Sequence, residues 1–161
     1  MWSGLQPDKI ASMPYNALRR GRQSLAHHAY HVTFVTDGRQ PLFADFTLAC
    51  LMARELARHG RNGSVETFAW VVMPDHVHWL FALDGVASLS DVVAGLKGRT
   101  ARAINAARGR SGRIWQPGFH DHAMRADEDL RRSARYIVAN PIRAGLVETA
   151  AEYAFWDAAW V

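Results

Sequence analysis

Apolar residues recur at every second position in some stretches of this chain and at every third or fourth in others, and the alternation sorts it into strands and helices. In His76–Leu83 the large apolar residues Val77, Trp79, Phe81 and Leu83 share one strand face, which puts His76 and His78 on the other. His28–Thr36 and Val65–Met73 are rich in β-branched and aromatic residues and read as two further strands. Pro74-Asp75 is a tight turn that joins the second and third strands as a hairpin. Between the first two strands, Leu48, Leu51, Met52 and Leu56 mark a helix capped by Asp45, closed by Gly60 and followed by an Asn62-Gly63 turn. After the hairpin, Ser88-Leu89-Ser90-Asp91 opens a second helix with a core stripe of Leu89, Val92, Val93, Leu96, Ile104 and Ala107. Gly109–Gly112 is a basic turn, and Trp115–Arg125 is a loop leading into a fourth strand. Asp127 is the expected cap of a last main helix that buries Leu130, Ala134 and Ile137 and ends near Asn140-Pro141. The aromatic tail Tyr153–Trp160 is expected to pack back on the body.

The order is β-α-β-β-α-β followed by a helix. It predicts an α+β fold of the ferredoxin-like, split βαβ kind, with an antiparallel sheet and two helices on the face that holds Trp79. The additional C-terminal helix, which carries Tyr136, is the natural cover for the histidine face. A chain of 161 residues is one domain with a sizeable core. Residues 1–26 read as a basic arm and residues 27–161 as the single domain; Met13 is an alternative start to Met1.

Composition narrows the class. A hydrophobic share of 49% and an aromatic share of 11% belong to a globular protein. Lys and Arg exceed Asp and Glu by 19 to 15, and the excess is concentrated. No acidic residue falls between Val92 and His120, where Lys97, Arg99, Arg102, Arg108, Arg110 and Arg113 lie, and the arm adds Arg19, Arg20 and Arg22. Such patches favour a polyanion. The single cysteine, Cys50, allows neither an intrachain disulfide nor a cysteine metal cluster. No signal peptide or membrane span is legible, so the expectation is a cytoplasmic protein.

The chemistry is carried by two short segments. His76 and His78, at i and i+2 of a strand, can hold one metal ion. Tyr136 and Asn140, at i and i+4 of a helix, can present a phenol and an amide oxygen together. Two imidazoles and an oxygen make a mixed site suited to Mg²⁺ or Mn²⁺. Such an ion polarises a phosphodiester, and a phenol activated beside it can attack. The product would be a 5′-phosphotyrosyl enzyme and a free 3′-OH, whose ester keeps the energy for strand transfer. Asn140 has a second role open to it, as a helix C-cap before Pro141.

With these residues in hand, the chain resembles the one-tyrosine transposases of bacterial insertion sequences, and more narrowly the REP-associated tyrosine transposases. The resemblance rests on His76-Val77-His78 within Val-Met-Pro-Asp-His-Val-His-Trp, on Trp115–His122, on Tyr136–Val147, and on the segment Met13–Arg22. It implies metal-dependent cleavage and rejoining of single-stranded DNA at hairpins of repetitive extragenic palindromes. It also implies that His76, His78 and Asn140 bind metal and that Tyr136 is the nucleophile. Arg19, Arg20, Arg22, Lys97, Arg99, Arg102, Arg110 and Arg113 are then candidates for DNA contact, with a nucleoid-associated location. His120 and His122 repeat the i, i+2 spacing and are read as DNA contacts or as groups that orient the site rather than as a second metal pair. A monomer or a homodimer is compatible with the resemblance. The rival of another class is a domesticated protein that binds the hairpins without cutting them.

Overall fold

The computed structural model describes residues 27–61, 65–125 and 129–160. The strand with the strongest alternation lies at its centre. β3 (His76–Leu83) is buried along its whole length. It pairs antiparallel with β1 (Ala29–Val35) on one side and with β2 (Val65–Val72) on the other. β4 (His120–Ala123) pairs with β1, and β5 (Trp156–Ala158) with β2, both antiparallel. The sheet order is therefore β4-β1-β3-β2-β5. Among the described residues four α-helices complete the α+β architecture: α1 (Phe46–Arg61), α2 (Leu89–Arg108), α3 (Leu130–Val138) and the short α4 (Asn140–Arg143).

Each sheet face has its own core, because the β3 side chains alternate. Val77, Trp79, Phe81 and Leu83 pack with Met52 and Leu56 of α1 and with Val93 and Leu96 of α2. On the other face, Leu80 and Ala82 pack with Ala134 and Ile137 of α3. His76 and His78 belong to this second face, under the helix that carries Tyr136.

Several local details depart from the sequence reading. The tail is a fifth strand as well as a packed aromatic segment. The Tyr153 hydroxyl donates to the Val72 carbonyl at 2.7 Å, and the Ala159 N–H donates to Phe68 at 2.9 Å. α1 runs through Gly60 to Arg61. Asp129, not Asp127, caps α3, accepting from the Arg131 N–H at 2.9 Å. Ala107 is exposed, and the buried polar residue of α2 is Thr100. The Thr100 hydroxyl donates to the Leu96 carbonyl one turn back and accepts from the Trp115 indole at 3.1 Å. Trp115 is core, edge-on to Phe34. Gly109 ends α2 in the left-handed conformation, φ 58°, which an L side chain rarely adopts. Asp127, the Asn62-Gly63 turn and the arm with Arg19, Arg20 and Arg22 lie outside the described residues. Among the described residues no helix is long and apolar enough to cross a membrane.

Candidate active site

The Pro74-Asp75 turn delivers His76 at the first position of β3, and strand alternation delivers His78 on the same face. Their rings stand perpendicular with centroids 4.9 Å apart. Both are buried, and each uses its Nδ1 on a neighbour. His76 Nδ1 donates to Asp75 Oδ1 at 2.6 Å, and Arg39 Nε donates to Asp75 Oδ2 at 2.9 Å. Burial pushes the Asp75 carboxyl up, but the hydrogen bonds and charges of His76 and Arg39 outweigh it and bring it to about 2. A carboxylate behind an imidazole fixes its orientation and leaves Nε2 for a ligand.

His78 is oriented in the same way from the neighbouring strand. Its Nδ1 lies 2.9 Å from Thr33 Oγ1 and 3.1 Å from His31 Nε2. Both partners come from β1, where Thr33 is in register with His78. Burial, reinforced by His76, His31, Arg143 and His120, drives the His78 imidazole well below its usual value, so it is neutral. Burial and the neighbouring His120 and His122 hold His31 at about 3. A neutral His31 can accept the Nδ1–H of His78. His78 Nε2 is then left as a buried lone pair, and among the described residues it has no hydrogen-bond partner. An orphaned buried nitrogen is costly unless a ligand takes it, so the pair suits a metal ion.

Asn140 is fixed in place by its own side-chain hydrogen bonds. Pro141 has no N–H, so the Ile137 carbonyl loses its helical donor. Asn140 Nδ2 replaces it at 3.0 Å and donates to the Tyr136 carbonyl at 3.1 Å. With its nitrogen committed to the helix, the amide keeps its oxygen as the atom a ligand role would use. Ala139 keeps helical dihedrals between α3 and α4, and Arg143 N–H donates to its carbonyl at 3.0 Å. The helical path therefore continues past Pro141, and Tyr136, Asn140 and Arg143, at i, i+4 and i+7, lie along one stripe. Tyr136 is half-buried, with the Arg143 guanidinium 4.1 Å from its ring centroid.

The other candidates are dispersed. His120 and His122 are half-buried on β4, opposite Thr33 and His31 of β1, beside the His78 row. Among the described residues no three His, Cys, Asp or Glu side chains are grouped so as to hold an ion. Lys97 Nζ donates to the carbonyls of Gln116 and Gly118, clamping the loop that precedes β4. Arg99 pairs with Glu55 at 3.2 Å and contacts His59, tying α2 to α1. Arg113 lies 3.9 Å from Asp37. Arg102 and Arg110 are exposed. All of α2 belongs to the layer across the sheet from the histidines. Of the supporting residues, His31, Thr33 and Arg39 lie outside the quoted motifs, and Asp75 and Arg143 lie inside them without a role assigned from the sequence. The signal for the first two was polar residues alternating with buried Tyr30, Val32 and Phe34 on one strand.

Comparison with known proteins bears on the family and the fold. The profile of a family described as IS200-like transposases matches residues 24–140. The chain is 32% identical over 96 residues to the REP-associated tyrosine transposase of Escherichia coli K12, covering 59% of this chain and 55% of that protein. It is 31% identical over 100 residues to a protein of Haemophilus influenzae Rd, covering 56% and 57%. The chain thus spans about half the length of these curated relatives. A solved structure of a REP-associated tyrosine transposase bound to a REP hairpin superposes with a TM-score of 0.64 at 26% identity, covering 84% of this chain and 79% of that one.

Proposed function

The chain belongs to the IS200-like transposase family, and from that premise we propose that it cleaves and rejoins single-stranded DNA at hairpins of repetitive extragenic palindromes, with Tyr136 as nucleophile. The observation that carries the reading is the buried Nε2 of His78, without a hydrogen-bond partner among the described residues, on the sheet face covered by the Tyr136 helix. His76 Nε2, His78 Nε2 and Asn140 Oδ1 would hold Mg²⁺ or Mn²⁺. When bound, the ion supplies Lewis-acid polarisation of the scissile phosphate and neutralises charge there.

The chain's own groups do the rest. Asp75 and the Thr33–His31 pair orient the two imidazoles through their Nδ1 atoms, which leaves each Nε2 for a ligand. Tyr136 Oη forms a bond to phosphorus as the P–O3′ bond breaks; the phenol loses its proton and the leaving 3′-oxygen gains one. The 5′-phosphate remains on Tyr136 until a 3′-OH reverses the step. An unpaired strand is the natural substrate, since the phenol must reach the backbone in line. The hairpin named for the structural relative is the substrate class proposed here.

The test is incubation with Mg²⁺ and oligonucleotides carrying such hairpins, read on denaturing gels for a covalent adduct. Wild-type protein forms the adduct and Tyr136→Phe does not. His76→Ala and His78→Ala lose cleavage while keeping most of their hairpin affinity. An adduct that survives Tyr136→Phe rules out the nucleophile assignment. Tight hairpin binding without cleavage in any divalent metal would instead identify a binding protein.

A further inference from the structure

Arg143 stands out among the cations near the site. Its guanidinium carbon lies 4.1 Å from the Tyr136 ring centroid, within cation–π range. The residue is exposed, and among the described residues no carboxylate lies within 4.0 Å of it. Its position follows from the helix: seven residues beyond Tyr136 is two turns, and Asn140 carries the path across Pro141. A guanidinium held over a ring face by this contact still has N–H donors to offer elsewhere. Those donors suit the non-bridging oxygens of a phosphodiester, which accept two parallel N–H bonds.

We propose that Arg143 is a catalytic residue that holds the Tyr136 ring and donates to the scissile phosphate as Tyr136 attacks. The inference rests on the nucleophile reading above. As the Oη–P bond forms and the P–O3′ bond breaks, charge rises on the non-bridging oxygens, and a fixed donor there lowers the barrier. The same contact then holds the phosphotyrosyl group after the 3′ strand leaves. Lysine would supply the charge without the paired donors.

The experiment is single-turnover adduct formation on a hairpin oligonucleotide by wild type, Arg143→Ala, Arg143→Lys and Tyr136→Phe, with hairpin affinity and melting temperature measured for each. Arg143→Ala is expected to slow adduct formation by about 100-fold or more, the usual loss of one transition-state donor, with the melting temperature unchanged. Arg143→Lys recovers part of the rate, and added guanidinium ion restores activity to Arg143→Ala but not to Tyr136→Phe. An Arg143→Ala rate close to wild type overturns the proposal and leaves the nucleophile reading intact. So does a slow rate accompanied by a lowered melting temperature and no guanidinium rescue, because that is a structural role. A wild-type protein that forms no adduct overturns both.

Discussion

His31 shows how a single side chain serves the site without touching substrate. Its buried ring must stay neutral to accept from His78, and burial holds it at about 3, against the ordinary 6.5. The unfolded chain takes up that proton below about pH 6.5, while the folded protein resists it until about pH 3. Stability contributed by the neutral ring is therefore full above pH 6.5 and lost as the pH falls. For one histidine the loss between pH 7 and pH 5 is about 2 kcal/mol. Urea unfolding of the metal-free protein at the two pH values is expected to show it, and His31→Gln to shrink it. An equal pH dependence in His31→Gln would mean that the ring is protonated in the fold. His31 and Thr33 were invisible as site residues in the sequence. Each is a polar residue on an otherwise apolar strand, and only the register of β1 against β3 brings them to His78. His76 and His78 were legible because their positions depend on one strand alone.

At the scale of elements, the join of α3 and α4 decides whether the tyrosine and the third ligand share a face. Helix periodicity made the i, i+4 relation of Tyr136 and Asn140 readable, and Pro141 put it in question. The resolution lies in the side chain of Asn140, whose amide replaces the N–H that Pro141 lacks. Its nitrogen has a structural task and its oxygen a proposed ligand task, and substitutions separate the two. Asn140→Asp keeps oxygen but loses the donor to Ile137 and Tyr136. Asn140→Ala loses both. Each is expected to cost about 1 kcal/mol of stability, the usual net value of a lost hydrogen bond. Only Asn140→Ala should also weaken Mn²⁺ binding severely. Thermal melts and metal titrations of the two variants check this, and equal metal affinity in wild type and Asn140→Ala would remove Asn140 from the ligand set. The strands of the central hairpin, the two helices on the Trp79 face and the Asp45 and Ser88 caps were readable from local pattern. β5 was not, because three residues have no period to detect, and its pairing with β2 is fixed by long-range bonds such as Tyr153 to Val72.

Over the whole molecule, the charge seen in the sequence and the charge near the site are on different layers. The acid-free stretch from Val92 to His120 centres on α2, across the sheet from His76 and His78. Part of its charge is spent internally, with Lys97 on loop carbonyls and Arg99 on Glu55. The site layer carries Arg132, which is exposed and lies one helical turn before Tyr136. Arg132, Tyr136, Asn140 and Arg143 fall along one stripe of α3 and α4, and a strand bound for attack by Tyr136 would run beside it. Each phosphate neutralised by a cation adds about one unit to the salt dependence of binding. Arg132→Ala is therefore expected to lower the slope of log affinity against log salt for a hairpin with a single-stranded flank by about one unit. Lys97→Gln should leave the slope unchanged, since its ammonium already serves two carbonyls, and should instead loosen the 116–118 loop in hydrogen exchange. Removing the flank discriminates further. If Arg132 meets the strand that Tyr136 attacks, its effect on the slope disappears with the flank. If α2 bound that strand, Arg102→Ala would show that flank-dependent loss instead, and the DNA path would have to cross the edge of the sheet to reach the tyrosine.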